Sequence, residues 1–587
     1  MLFMLTLALS SRLSGQSLPE VRRTDWHKAG FPDQVPVYNV SVNINDFGGV
    51  GDGTTPNDTA LSNAIAALNG QPGMVWFPEG TYLFHTSILL RDSLVLKGEG
   101  AESTQLHFDL GAAQKDCILA VGSLENSTTA RFLSAGITKG DTLLQVQAGE
   151  SFKPGELLNL QFDDSLVIFS SWARGLAGQL FEVVETMPNG FIRSNHPMRL
   201  DIPLAWRPRL TRVRPLTGAG IECLKIKRFD GNVPIGMNIS FQFARQCWVM
   251  GVESEDCNFA HLSLAGSVHC EVYGNYFHHA FAYGGGGQGY GVACEATSSD
   301  NRIQNNCFEH LRHSVLLQSG ANGNVIGYNY STDPYWENFP IDGCGELVIH
   351  GNYPSFNLFE GNIVNNIRPD GSHGLNGPNN TFFRNRAQGY GFITTGTQSF
   401  LNVLGNEITS GALLHGLFLV DGTDNFLYNN NVQGTINPAG TTGTIDSSYY
   451  LRALPRFLEG QSFLIGAPAA FNTGRLPAEL RFLNGSNRTT CEGRDELTVA
   501  LAEPHMPIAT KAAVSPNPFH DFLELGPLSE NDKVEIWNLQ GQLVFSHHPN
   551  GALLRLDTQH WPPGGYLVKI SLPDQGGGIN SRLVLKH

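Results

Sequence analysis

The chain has little charge of either sign and no concentration of the positive one. Only 16% of its 587 residues are Asp, Glu, Lys or Arg, the formal net charge is -15, and no run of Lys/Arg exceeds two residues, which argues against nucleic acid or an anionic membrane as the main partner. An acidic surface also repels polyanions, so an acidic ligand would need a locally basic groove or a bound cation. After the first residues no stretch reaches the roughly 18 apolar residues of a membrane-spanning helix. The nine cysteines, at 117, 223, 247, 257, 270, 294, 307, 344 and 491, show no CxxC spacing, and most read as small buried apolar residues. Glu/Lys-rich helical stretches are scarce too, whereas 66 glycines and many asparagines describe a chain full of tight turns. The length exceeds one ordinary compact core, so an all-β class with several domains or an elongated repeat is expected.

The repeat can be counted. Seven segments starting at Cys270, Asn301, Asn324, Asn357, Asn380, Leu401 and Asn425 each carry asparagine five residues on, at Asn275, Asn306, Asn329, Asn362, Asn385, Asn406 and Asn430. Two residues after each start stands an apolar side chain: Val272, Ile303, Ile326, Phe359, Phe382, Val403 and Leu427. Eight before the starts are Leu262, Ala293, Leu316, Ile349, Ser372, Ile393 and Leu417, expected to face inward as well. Periods of 21 to 33 residues with short strands and an asparagine turn predict a stacked β-solenoid. Like residues would then lie about 4.8 Å apart along the axis, forming one apolar core and an asparagine ladder.

Upstream, Leu61, Ile65 and Leu68 share a helical face after an Asn57/Asp58 cap, predicting one short helix that covers the open end of the solenoid. Residues 46–53 (DFGGVGDG) and 77–82 (FPEGTY) closely resemble the opening motifs of the pectate-lyase-like superfamily, which implies a right-handed parallel β-helix and leaves the reaction open, because lyases, hydrolases and phage tailspikes share it. At the other end, SPNPF (515–519) precedes alternating strands with Asn538, Gly541, Gly565-Tyr566, Arg582 and Lys586. This segment resembles the type A sorting domain of the type IX secretion system, implying a partner in that machinery through residues 515–587 and a secreted or cell-surface protein. Residues 1–15 read as a signal peptide cleaved near Gln16, although a basic n-region is missing. The expected order is cap and first coils over 16–129, an inserted β-rich subdomain over 130–215, main coils over 216–450, C-terminal cap and linker over 451–514, and a small C-terminal β-sandwich, all in a monomer.

Two coils are stretched at equivalent places, by residues 278–291 and 331–346, which should wall one side of a groove. Their Tyr283, Tyr290, Tyr335 and Trp336 are candidate platforms for sugar rings. Seven before the starts, His350 and His373 should stack on an outward strip, with His313 and Arg312 nearby. Imidazoles titrate near neutral pH and so suit acid/base work. Glu346, Glu360, Asp370, Arg384 and Arg386 lie close in sequence. The arginines suit a uronate carboxylate, and the carboxylates could instead hold calcium.

Histidine with arginine favours a polysaccharide lyase acting on a uronate-containing glycan by β-elimination, with His350, His373, His313, Glu360 and Arg384 as candidate catalytic residues and Arg312, Arg386 and Asp370 as binding residues. The alternatives are a glycoside hydrolase built on a carboxylate pair and a glycan-binding adhesin without catalysis. The sequence lacks the full motif set of polygalacturonase-like hydrolases, in which only fragments such as Ser372-His373-Gly374 recur.

Overall fold

The structure is a computed structural model. It describes residues 18–586 except 33–34, 112–114, 127–128, 148–151, 232–234, 460–464, 466–473, 493–495, 501–512, 516–520, 527, 529–531, 539–541, 550–553 and 573–577. The expected signal peptide, the Pro516-Asn517-Pro518 motif and Gly541 lie outside the described residues.

The chain divides into two units, residues 1–500 and 501–587. The first is a right-handed parallel β-helix. One wall is a 12-stranded parallel sheet running from Ser41–Asn43 to Phe426–Tyr428, and the strands of the other two walls join in a 21-stranded sheet. On the first wall Val249, Val272, Ile303, Ile326, Phe359, Phe382, Val403 and Leu427 pair in one register. This is the inward row read from the sequence, and Phe359 and Phe382 stack face to face with centroids 4.6 Å apart.

Asparagine ladders flank this wall. Asn329 is typical: its Nδ2 donates to Ile303 O and Asn362 Oδ1, both at 2.9 Å, while its Oδ1 accepts from Asn306 N at 3.0 Å and Asn306 Nδ2 at 2.9 Å. A second ladder runs through Asn301, Asn324, Asn357 and Asn380 at the segment starts. Each asparagine Oδ1 accepts the buried backbone N–H of the equivalent residue one coil before, and its Nδ2 adds a second bond to a carbonyl of that coil.

The third wall departs from the counted register. Val292, Val315 and Leu347 pair with one another and face the core, with Cys294, Leu317 and Ile349 two residues on. Ala293 and Leu316, expected inside, belong to an outer cluster with Ala260 and Tyr290. Ile349 pairs with Pro369 rather than Ser372, and Phe392 and Phe418 fill the core where Ile393 and Leu417 were expected. Both neighbours in these strands are apolar, so hydrophobicity alone leaves the parity undecided.

The helix Asp58–Ala67 buries Ala60, Leu61 and Ala64 over the first coil. Asn57 does not cap it; its Oδ1 accepts from Val50 N, while the Asp58 carboxylate takes the amides of His85 and Thr86. Between the strands Ile118–Val121 and Leu216–Thr217 the chain forms a seven-stranded antiparallel sheet with its own core around Leu158, Phe162, Phe181 and Ile192. This sheet docks on the turns after the third wall, where Leu180 N donates to Ser299 Oγ at 3.1 Å and Arg199 Nη1 to Asn322 Oδ1 at 2.6 Å.

A strap made of the described residues 445–459, 465 and 474–492 covers much of the first wall and is tied to it by the Cys223–Cys491 disulfide. The other seven cysteines are free and buried. The second unit packs a three-stranded and a four-stranded antiparallel sheet around Leu523, Leu525, Val534, Ile536, Val568 and Ile570.

Candidate functional site

The inward residues Cys294, Leu317 and Ile349 fix what faces outward beside them. The next residue on each strand turns out by alternation, and the row so formed is Glu295, Gln318, His350, Asp370 and Thr395. Gln318 Nε2 donates to Glu295 Oε1. His350 Nδ1 lies 3.0 Å from Asp370 Oδ2. Thus His350 meets Asp370 across the ladder where the sequence pattern placed His373.

His373 still reaches His350. Its chain returns through the turn after Asp370, the two rings meet edge to face with centroids 4.6 Å apart, and the His373 ring is exposed. Gly351, at φ 79°, makes the approach feasible: a Cβ there would stand 2.8 Å from the His373 carbonyl carbon. On the other side His313 lies with its centroid 5.6 Å from His350, and Tyr290 packs 5.0 Å from His313. The three histidines form one continuous array.

His313 is buried, and its Nδ1 donates to Gly345 O at 2.6 Å. That bond fixes the tautomer and leaves the Nε2 lone pair, which has no partner. Burial, aided by the charges of His350 and Arg312, pushes the His313 ring far below its ordinary value, and His373 is lowered by burial and by His350. Burial opposes ionisation of Asp370, but the bond and charge of His350 outweigh it and hold the carboxyl at about 2. The Nε atoms of Arg312 and Arg368 and Oε1 of Gln318 are likewise buried without partners. Unsatisfied polar groups crowded beside a groove are poised to meet a polar ligand.

Two walls bound this strip. At the start of the third-wall strands the loops 281–289 and 333–346 meet, with Tyr283 and Tyr335 centroids 4.9 Å apart and His310 stacked 4.7 Å from Tyr335. Arg312 Nη1 donates to Gly284 O at 2.5 Å, which ties the loop to the strip. At the strand ends stands the inserted sheet, whose Trp172 meets His373 edge to face at 5.9 Å.

Several expected site residues lie elsewhere. Glu360 is buried on the first wall, taking Tyr449 N at 2.8 Å and Tyr328 Oη at 3.2 Å, and burial pushes its carboxyl up to about 7. Arg384 donates to the carbonyls of Asp446 and Ile465. Arg386 pairs with Glu407 at 2.8 Å and reaches Gly474 O. All three are sealed by the strap, so none can meet a ligand in the histidine groove. Glu346 is closed in by Ser331 Oγ and the amides of Asn365 and Asn366, and burial raises it to about 7. Tyr290 is only 3% exposed and packs on Phe259, so it supports His313 rather than offering a ring face. Tyr283, Tyr335 and Trp336 remain part-exposed; Tyr283 and Tyr335 pack on each other across the two loops and on His310, and Trp336 Nε1 donates to Pro340 O at 2.6 Å.

The carboxylates expected to hold calcium therefore do not converge. Among the described residues, Glu253, Glu255 and His278 could share an ion, their ligand atoms lying within 4.8 Å of one another. Lys225 Nζ already sits 2.6 Å from Glu253 and 2.5 Å from Glu255, supplying the cation. A separate concavity on the inserted sheet, lined by Glu125, Glu156, Arg212, Val213 and Arg214, is likewise neutralised by its own ion pairs.

Residues 41–135 match the family described as Rhamnogalacturonase A/epimerase, pectate lyase-like, and residues 513–586 match the Secretion system C-terminal sorting domain. No curated protein matches the chain. Among solved structures, the tailspike protein of Pseudomonas phage LKA1 is 16% identical with a TM-score of 0.46 over 63% of this chain, which spans 64% of the tailspike's length. PfbA, a surface adhesin of Streptococcus pneumoniae, is 12% identical with a TM-score of 0.36, covering 63% of this chain and 84% of that one. The A-module of the Azotobacter vinelandii mannuronan C-5 epimerase is 13% identical with a TM-score of 0.26, covering 66% and 98%. Among the described residues no helix is long and apolar enough to cross a membrane. The chain is a right-handed parallel β-helix protein, pectate lyase-like over residues 41–135, with a type IX secretion sorting domain at residues 513–586 that directs it to secretion or to attachment at the cell surface.

Proposed function

We propose that this protein is a polysaccharide lyase that cleaves a uronate-containing glycan by β-elimination in the groove over the third wall. The observation that carries the reading is the His350–Asp370 pair, 3.0 Å apart on the outward row, beside the unpartnered Nε2 of His313 and the unpartnered Nε atoms of Arg312 and Arg368. The match of residues 41–135 to a pectate lyase-like family supports a carbohydrate substrate.

The chemistry follows from the charges. Asp370, ionised above pH of about 2, orients the Nδ1–H of His350 and leaves Nε2 as the base. His350 removes the proton from the carbon bearing the uronate carboxylate. The electron pair forms the carbon–carbon double bond as the bond to the glycosidic oxygen breaks, and the imidazolium returns its proton to that oxygen. Arg312 and Arg368 neutralise the carboxylate and the enolate charge that develops on it. His313 and His373, kept neutral near pH 7, add no repulsion to the imidazolium.

A hydrolase finds less support. Glu346 and Glu360 are sealed, and Glu295 and Asp370 are three rungs apart on the row. At about 4.8 Å per rung their backbones are about 14 Å apart, beyond the roughly 5–9.5 Å carboxyl separations that hydrolysis uses.

The test is absorbance of unsaturated product after incubation with alginate, pectate and glycosaminoglycans. The expected result is a rise with at least one polymer that falls at least ~100-fold in rate in His350→Ala and ~10-fold or more in Asp370→Asn. New reducing ends without absorbance would refute elimination in favour of hydrolysis, and binding without any product would leave an adhesin.

A further inference from the structure

The inserted sheet does more than flank the groove. Its residues 163–176 form a braced loop: Asp164, 3% exposed, accepts Gly175 N at 2.8 Å and Ala177 N at 3.1 Å, and its carbonyl takes Ile168 N at 2.8 Å. Ile168 and Ala173 are buried in the core of the insert. Against this anchoring, Phe169 and Trp172 are 59% and 55% exposed. A rigid loop that holds two large aromatic rings in water forgoes burial that a polar residue would not need, which is the mark of a ligand surface.

The position of the rings narrows the ligand. Trp172 touches His373 edge to face, Ser170 Oγ donates to His373 O at 3.3 Å, and Phe169 reaches within 3.3 Å of a Cβ built on Gly374. His373 in turn meets His350. The aromatic pair is thus continuous with the proposed reaction centre and lies at the end of the third-wall strands, on the side away from Arg312 and the loops 281–289 and 333–346. Its two rings, three residues apart, match the size of one or two sugar rings, and aromatic faces take the C–H face of a pyranose.

We infer that Phe169 and Trp172 of the inserted sheet form a stacking subsite that holds the sugar units flanking the bond attacked at His350. The inference rests on the glycan-directed reading of the groove but not on elimination itself. The loop is built before the ligand arrives, so its ordering costs little on binding.

The experiment titrates the full chain with alginate, pectate and hyaluronan oligosaccharides, reading tryptophan fluorescence for affinity and unsaturated-product absorbance for turnover. In Trp172→Ala and Phe169→Ala, affinity for whichever probe binds the unsubstituted protein should fall at least tenfold, with an unchanged melting temperature because both side chains are exposed. Trp172→Phe should recover most of the loss, and His350→Ala should bind normally while losing turnover. Undiminished binding by Trp172→Ala, with elimination intact, would overturn the subsite and leave the lyase reading standing. Binding that depends on Trp172 without any unsaturated product would support the subsite and remove the lyase. Binding of none of the three probes by the unsubstituted protein would overturn both.

Discussion

Replacing Asn329 by alanine should cost about as much as truncating any other interior asparagine of its ladder. The side chain is 1% exposed and makes four hydrogen bonds, two donated and two accepted. After truncation Asn306 Nδ2 keeps Val272 O, and Asn362 Oδ1 keeps Asn329 N. One group keeps nothing, the buried Asn306 N–H, whereas the Ile303 carbonyl stays within the parallel ladder. At roughly 1–3 kcal/mol for this buried unsatisfied group, the loss comes to about 2–4 kcal/mol once the small void is added. Urea denaturation followed by circular dichroism measures it, with the exposed helix residue Asn63 as the control, for which Asn63→Ala should stay within about 0.5 kcal/mol. Solenoid coils couple mainly to their neighbours, so hydrogen exchange should also show the Asn306 amide losing protection before amides three coils away. A loss below about 1 kcal/mol would refute the idea that the ladder satisfies backbone groups at the bends.

Phe382→Ala should cost about 3–5 kcal/mol, because the ring stacks on Phe359 at 4.6 Å and meets Phe392 edge to face at 5.1 Å; a melting temperature within a degree of the unsubstituted protein would contradict this packing. Stability should also fall steeply in acid. Burial holds His196 and His261 at about 3, below their ordinary 6.5, so the unfolded chain binds protons first and stability is lost as pH falls from 6.5 towards 3. Glu346 and Glu360, raised from 4.5 to about 7, act oppositely, losing stability as pH rises between those values. Because His313 and His373 are lowered as well, the urea midpoint should fall as pH drops from 6.5 and more steeply below 4.5, where the glutamates no longer offset the loss, with a shallower fall in His261→Gln; a midpoint that rises on acidification below 4.5 would contradict the assignment.

The winding is legible in the sequence because one wall keeps a single inward apolar residue and one turn asparagine in every coil. From Val272 to Leu427 nothing competes with that register. The third wall is less legible for a physical reason. Val292 and Ala293, or Val315 and Leu316, are both apolar, since the outer face of that strand is itself covered by Tyr290 and Phe259. Alternation there can be fixed only by the polar residue that follows, Glu295 or Gln318, and this signal leads to the row that holds His350 and Asp370. Counting back from Asn380 brings His373 to His350 but overlooks the extra residues of the turn after Asp370, which is why the carboxylate takes the paired position.

Glu360, Arg384 and Arg386 illustrate a different limit. Their charges suggest an exposed patch, yet a distant strap supplies carbonyls and amides that let them be buried. No local pattern announces such a partner. Trp172 is hidden for the complementary reason: it stands in an insert without repeats, and only the docking of that insert on the coil turns brings it to His373.

The strap has a consequence for how the solenoid matures. Coils can wind one upon another as the polypeptide emerges, each resting on the one before. The surface bearing Glu360, Arg384 and Arg386, from the first wall across its turn to the next, cannot become dry by that route, because its covering arrives from described residues between 445 and 492, up to the cysteine that closes the loop to Cys223 across 268 positions. Until then these side chains must stay hydrated, so the β-helix acquires its last covered face late, in a step governed by long-range closure rather than by stacking.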